Sequence, residues 1–260
     1  MTTTPPARWP VLRQLWRLFA LLVLCAVALQ LVFLLRIALM AVVDPQSTAF
    51  QRSEAWRLLR QPGQAGWAQQ WVPSERISDN LKRAVIASED AGFASHGGVD
   101  WDAVRGAWDK NQRAEARAER RAATAPAKST SSAPAAATKV VGGSTISQQL
   151  AKNLLLSGER TVFRKTQELL LTLMLETLLS KERILEIYLN NVEWGEGLFG
   201  AQAAARHYFR VDAARLGTEP AARLAVILPA PKRFEKRPAS AYVTGRAGTI
   251  AARMPAVELP

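Results

Sequence analysis

From Leu18 to Leu35 the only polar residue is Gln30, and after Arg36 apolar residues resume as far as Val43. A stretch of about 20 apolar residues suffices to cross a bilayer as a helix. A cleaved signal peptide has a shorter apolar core, of about 7 to 15 residues, although Ala26-Val27-Ala28 could serve as its cleavage site. The longer run favours an uncleaved anchor, and a buried core helix apolar on every side is the weakest reading. Arg8, Arg13 and Arg17 precede the run and place the N-terminus in the cytoplasm, while Arg36, Arg52, Arg57 and Arg60 beyond it blunt the asymmetry. The expected organisation is a tail over 1–17, a membrane span over 18–43 and one folded domain over 44–260.

The charge adds less than its size suggests. The formal net charge is +12, which suits an anionic partner such as a lipid surface, a pyrophosphate or a nucleic acid. Residues 109–139 hold seven basic side chains against three acidic ones, a net of +4, and the three N-terminal arginines add three more. The remainder is too small to argue for a nucleic-acid surface. The lone Cys25 lies inside the apolar run, which excludes a disulfide framework or a cysteine metal site. Neither His96 nor His207 has a partner at metal-ligand spacing.

Pro45 to Pro73 carries Trp56, Trp67 and Trp71 among polar residues, fitting either a segment near a membrane interface or core packing. From Ile77 to about Ile250 apolar residues recur at spacings of three and four with no alternation of period two, predicting a mainly α domain. Residues 109–139 interrupt it with an Ala/Arg/Glu run, expected to be helical, then Ala/Ser/Thr/Pro residues that bury little apolar surface. This stretch reads as a mobile insertion.

Three segments carry chemistry. In the first, Ser78 is placed to cap a helix whose apolar face holds Leu81, Ala84, Val85 and Ser88. Glu89 falls on the margin of that face, in the last turn before Gly92. The negative helix terminus and partial desolvation would both raise its pKa, as a general base requires. A solvated helix end would explain Glu89 and Asp90 as well, and turn hydrogen bonds would explain His96. In the second, Gly142-Gly143 leads into a helix where Thr145, Gln149 and Lys152 share one face and Ile146, Leu150 and Leu154 face the core. Such a stripe of uncharged donors ending in an ammonium could hold a sugar and a phosphate. In the third, Arg164 and Lys165 stand four and three residues before Glu168. They form either a surface ion pair or a clamp for a departing pyrophosphate, with Glu168 holding the cations.

Taken together, IASEDAGFASHGGVD, GGSTISQQLAKNL, RKTQE with the later Glu176, KERILEIYLN followed by WGEGLFG, and AAARHYF resemble, in order, the signature blocks of glycosyltransferase family 51, the peptidoglycan polymerases. The single span and the absence of Ser-x-x-Lys and Lys-Thr-Gly resemble the monofunctional members. The resemblance implies a lysozyme-like α fold with a small membrane-near lobe. It implies a reaction that joins lipid II to a growing undecaprenyl-pyrophosphate-linked strand, with inversion to a β-1,4 bond. It implies that Glu89 is the general base and Glu168 the second essential carboxylate. It further implies substrate contacts from Asp90, Phe93, His96, Thr145, Gln149, Lys152, Asn153, Arg164 and Lys165. No cofactor is implied beyond room for a divalent cation such as Mg2+ at the pyrophosphate. Implied partners are lipid II, the glycan strand, membrane lipids and other cell-wall synthesis proteins, and the implied place is a bacterial inner membrane with the catalytic domain in the periplasm. A lysozyme-like muramidase and a non-catalytic envelope scaffold are the rival readings.

Overall fold

The computed structural model describes residues 9–60, 66–124, 143–156 and 161–260, and the chain divides into two compact units, 1–44 and 45–260. The first unit is one helix, α1 (Trp9–Leu39). Its stretch Leu12–Leu39 has a mean hydropathy of 2.9 and is long and apolar enough to cross a membrane. At 1.5 Å per residue the whole helix is about 46 Å long. The helix thus starts and ends somewhat before the span read from composition, because Trp9, Leu12 and Leu15 continue the helical pattern on the N-terminal side.

The second unit is mainly α: α2 (Ala49–Leu59), α3 (Asp79–Glu89), α4 (Trp101–Thr124), α5 (Ile146–Leu155), α6 (Val162–Leu178), α7 (Lys181–Asn191), α8 (Ala201–Phe209), α9 (Thr218–Ile227), α10 (Pro231–Phe234) and α11 (Ala241–Ala251). The start of many of these helices is written locally. Thr48, Ser78, Thr145, Thr161, Ser180 and Ser240 each accept a hydrogen bond from a backbone N–H in the first turn of their helix. At Thr48 and Thr145 a glutamine three residues on reaches back to complete a capping box.

Three short strands form one sheet in the order β1-β3-β2: β1 (Ala68–Gln69), β2 (Glu193–Gly195) and β3 (Leu198–Phe199). β3 runs parallel to β1 and antiparallel to β2. Strands of two or three residues leave no period-two signature, which is why the sequence pattern showed none. The turn between β2 and β3 needs Gly197, whose φ is +69° and whose added Cβ would lie 2.6 Å from the Gly66 carbonyl oxygen.

The core is centred on α3, which packs against α9 and α11. Leu81, Val85 and Ile86 of α3 meet a helix rich in alanine, with Ala221, Ala222 and Ala225 fully buried beside Leu224. Small side chains let helix axes approach closely, and each buried Leu or Ile contributes about 1.5–3 kcal/mol. On the other side α5 packs against α6 and α7 through Ile146, Leu150, Leu154, Leu171 and Leu175. Asn190 ties α7 to the segment before α3. Its side chain accepts from the Val72 N–H and donates to the Val72 carbonyl, both at 2.9 Å. The Ala/Arg/Glu run is helical, as the composition implied, since α4 extends to Thr124. Residues 125–139 of the expected insertion, and Gly142, lie outside the described residues.

Candidate active site

Glu89 is the last residue of α3, half-buried, and it lines three adjoining cavities of about 390, 590 and 850 Å³. Burial pushes its carboxyl above the ordinary range, and the Asp90 charge adds to this, while hydrogen bonds from Gln149 and Ser88 pull the other way. The sequence reading expected the direction. Desolvation is the larger cause, and the neighbouring Asp90 carboxylate adds to it.

The side chain of Glu89 is oriented by a two-step relay. Gln149 Nε2 donates to Glu89 Oε2 at 3.0 Å, and the hydroxyl of Tyr188 donates to Gln149 Oε1 at 3.0 Å. A phenol can only donate to the amide oxygen here, so it fixes which end of the amide faces Glu89. Burial, with the charges of Glu89 and Asp90, raises the Tyr188 pKa far above its usual value, so the ring keeps its proton. Tyr188 is a residue the sequence reading missed. Its position two residues before the Asn190-Asn191 pair gave no hint, because a tyrosine at helical spacing reads as core.

Asp90 lines the 390 Å³ cavity with Glu89, and it, Phe93 and His96 are also engaged within the protein. Asp90 is buried, with Oδ2 accepting from the Ile146 N–H at 2.9 Å and Oδ1 bound to His96 Nε2 at 2.8 Å. His96 Nδ1 accepts from the Gly98 N–H at 3.1 Å, so its proton sits on Nε2 and points at Asp90. Phe93 has no exposed surface and lies under the Lys181 ammonium, 4.5 Å from the ring centroid. These three lock the α3–α4 connection onto the N-terminus of α5, and so hold Glu89 in place. Gly98 closes the same connection at φ +87°, where an added Cβ would meet Glu176 Cγ and Thr172 Cγ2 at 2.8 Å.

Thr145 also lines the 390 Å³ cavity, although its hydroxyl is engaged within the protein. It is the cap of α5, buried, and its hydroxyl donates to the Gly98 carbonyl at 2.6 Å while accepting from the Gln148 N–H. The helix begins one residue later than the sequence reading placed it. Gln149, Lys152 and Asn153 do face the 590 Å³ cavity together with Glu89, Ser144 and Arg164.

Arg164 Nη1 is 2.8 Å from Glu168 Oε2, and Lys165 Nζ is 2.5 Å from Glu168 Oε1. Glu168 is 4% exposed, so both of its oxygens are committed behind the cavity wall and Arg164 is the group that reaches the cavity. Arg164 Nε is buried without a hydrogen-bond partner among the described residues. Lys165 is half-exposed and is not among the residues lining that cavity. The two acids therefore do not line a common groove side by side: Glu89 faces the cavity and Glu168 stands behind Arg164. Two ion pairs on a buried carboxylate make this a deeper arrangement than a surface pair worth under about 1 kcal/mol.

Glu193 completes the wall and was also missed. It is buried at the start of β2 and lines the same cavity, facing Lys232 at 3.4 Å. The sign that could have found it is an acid set between Val192 and Trp194 in an otherwise apolar stretch. Among the described residues no three His, Cys, Asp or Glu side chains gather as a metal site. The 590 Å³ cavity presents cationic groups, Lys152 and Arg164, that can meet an anion directly.

The Transglycosylase family profile matches residues 57–255. The biosynthetic peptidoglycan transglycosylase of Burkholderia orbicola is 52% identical over 233 residues, covering 90% of this chain and 86% of that protein. The protein of the same description from Burkholderia multivorans is 50% identical over 247 residues, covering 94% of this chain and 92% of its own length. A family match across most of the chain, and relatives sharing half their residues with nine-tenths of it, establish that this chain belongs to the glycosyltransferase family 51 transglycosylases.

Proposed function

We propose that this protein is a peptidoglycan glycosyltransferase that lengthens glycan strands from lipid II. The observation that carries the proposal is a half-buried carboxyl, Glu89, facing the same cavity as Arg164, a cation fixed from behind by Glu168. Family membership and the names of the relatives support the same reading.

In this reading Glu89 removes the proton from the 4-hydroxyl of the acceptor sugar as that oxygen attacks the anomeric carbon of the donor. The new C–O bond forms opposite the breaking bond to the lipid pyrophosphate, so the α-linked donor yields a β-1,4 link. The leaving group departs with the bonding electrons. An alcohol is a poor nucleophile until its proton is taken, and a base whose pKa is raised toward the working pH takes it more effectively. Arg164, with its buried and unpaired Nε–H, and Lys152 stand where they can stabilise the charge growing on the pyrophosphate. Gln149, Asn153 and Ser144 offer uncharged hydrogen-bonding groups for sugar hydroxyls.

The muramidase alternative is not favoured. A glycosidase of lysozyme type needs its second carboxyl at the scissile bond or holding a water, whereas Glu168 is buried and bound to two cations. We further infer that α1 anchors the domain in the inner membrane with the N-terminus in the cytoplasm and residues 44–260 in the periplasm. The charge of the first 17 residues supports this orientation. An outward apolar ridge on α6, with Phe163, Leu170 and Leu173 exposed, supports contact with a lipid surface near Arg164.

The test is lipid II polymerisation by the wild type against Glu89→Gln. The variant should lose at least about a hundredfold in turnover, the usual worth of a positioned base, with the fold retained. Strand lengthening by the variant at the wild-type rate, or cleavage of preformed glycan without lengthening, would end the proposal.

A further inference from the structure

The cavity that holds Glu89 and Arg164 has an acidic wall on its far side that the proposed reaction leaves unused. Glu193 opens β2, where the strand is buried on both faces, so Trp194 turns into the core and Glu193 turns toward the cavity. Its carboxyl is about nine-tenths buried, and Oε1 has no hydrogen-bond donor in proper geometry, only the Lys232 ammonium at 3.4 Å. That ammonium is held elsewhere. Lys232 Nζ is 2.5 Å from Glu54 Oε2, and Arg57 adds a second cation to Glu54 at 2.9 Å. Arg57 is shared in turn with Glu196 at 2.6 Å, and Glu235 receives the Glu196 N–H at 2.5 Å.

The cluster is therefore lopsided. Burial works against the Glu54 charge, yet Lys232 and Arg57 hold its pKa below the ordinary range. Glu193 has the opposite fate: burial drives it up to about 7, Lys232 opposes this weakly, and the Glu54 charge adds to it. A carboxyl whose only task was to tie α10 to β2 would be expected to hold the ammonium itself. Lys232 is instead held by Glu54 of α2.

We propose that Glu193 contacts the substrate directly, its carboxylate accepting a hydrogen bond from a hydroxyl or acetamido N–H of a bound sugar. This rests on the glycan-polymerising reading above. The donor is an uncharged hydroxyl or amide, because Lys152 and Arg164 already line the cavity and repel a cationic ligand. Glu193 is thus a binding residue of the acceptor–donor cavity that Glu89 also lines, and it fixes where the sugar lies when Glu89 acts. Since only the ionised form is a strong acceptor, binding strengthens as pH rises through about 7. Besides burial, the charges that set this ionisation are Lys232 from α10 and Glu54 and Arg57 from α2; Glu89, Lys152 and Arg164 line the same cavity, and Glu196 and Glu235 stand beside the sheet.

The experiment measures KM and kcat for lipid II between pH 6 and 8.5 in the full-length protein, for the wild type, Glu193→Gln and Glu193→Ala, with thermal unfolding of each. Glu193→Ala should raise KM at pH 8 by about tenfold, and Glu193→Gln, whose amide oxygen still accepts, by about threefold, with kcat within about threefold of the wild type. The fall in wild-type KM across pH 7 should be missing from both variants. Unchanged KM with an unchanged pH profile in folded variants would overturn the proposal. So would failure of both variants to fold, which would assign Glu193 to the scaffold. Glu89→Gln in the same assay separates the two readings: if the wild type itself does not lengthen strands, the polymerase reading fails, whereas activity that depends on Glu89 but ignores Glu193 sinks only this inference.

Discussion

Replacing Tyr188 by Phe removes one oxygen atom from a side chain that is 1% exposed and lines none of the cavities at Glu89. What it takes away is the hydrogen bond that fixes the Gln149 amide, and through it the donor to Glu89. The loss of a buried neutral hydrogen bond, with the Gln149 oxygen only partly able to find water, costs about 1–2 kcal/mol. For a domain of this size that is a fall in Tm of about 2–8 °C. The effect on turnover has a definite sign. The Gln149 hydrogen bond opposes the upward push of burial on Glu89, so a loosened amide lets the Glu89 pKa climb further. The base must be ionised to act, so the acid limb of the pH profile for lipid II polymerisation should move to higher pH in Tyr188→Phe, with the plateau at high pH largely kept. Differential scanning and a pH series of initial rates give both numbers. An acid limb that stays in place, or moves down, in a folded variant would refute the relay.

The remaining expectations concern charge and the insertion. The Glu89 pKa is raised in the fold, so ionised Glu89 lowers stability as pH rises from its unfolded range through its folded one. The inactive Glu89→Gln variant should therefore melt above the wild type at pH 8 and lose that advantage at pH 4; a lower Tm at pH 8 would contradict the desolvation account. Arg164→Ala should depress turnover at least tenfold more than Arg113→Ala, because only Arg164 lines the cavity; equal effects in a lipid II assay would count against the clamp. Deleting residues 114–137 should leave the protein folded and within about tenfold of full activity, checked by thermal unfolding and rate; unfolding of the shortened chain would show that the far end of α4 supports the domain.

The local rules were the most legible part of the sequence. Ser78 as a cap, the α3 core face of Leu81, Ala84 and Val85, and the helical run into 109–124 all follow from spacing and residue type, and the structure has them. Gln149 and Lys152 could be placed on one face of their helix, and Arg164 beside Glu168, for the same reason, whereas Asn153 came from the family resemblance. What was not legible depends on long-range partners. Thr145, read as a donor on a stripe, is taken by the Gly98 carbonyl 47 residues away, and Asp90 is taken by the α5 N-terminus 56 residues on. No spacing rule reaches that far. Tyr188 was missed because it sits at helical spacing with Ile184, Leu185 and Ile187 and reads as core, and Glu193 because the cavity it lines is formed only in the fold.

The two carboxyls first picked out, Glu89 and Glu168, end in opposite electrostatic situations, and this separates their tasks under the proposed reaction. Glu168 has a cation on each oxygen at 2.8 and 2.5 Å, so accepting a proton would require giving up one of those contacts. Glu89 has one uncharged donor, Gln149, and a neighbouring negative charge, Asp90, and burial already favours its neutral form. Taking a proton relieves Glu89 and would strand the partners of Glu168. The group that can cycle between charge states within one turnover is therefore Glu89. Glu168 serves best by staying ionised, so that Arg164 keeps its place at the cavity while the charge on the departing pyrophosphate rises and falls.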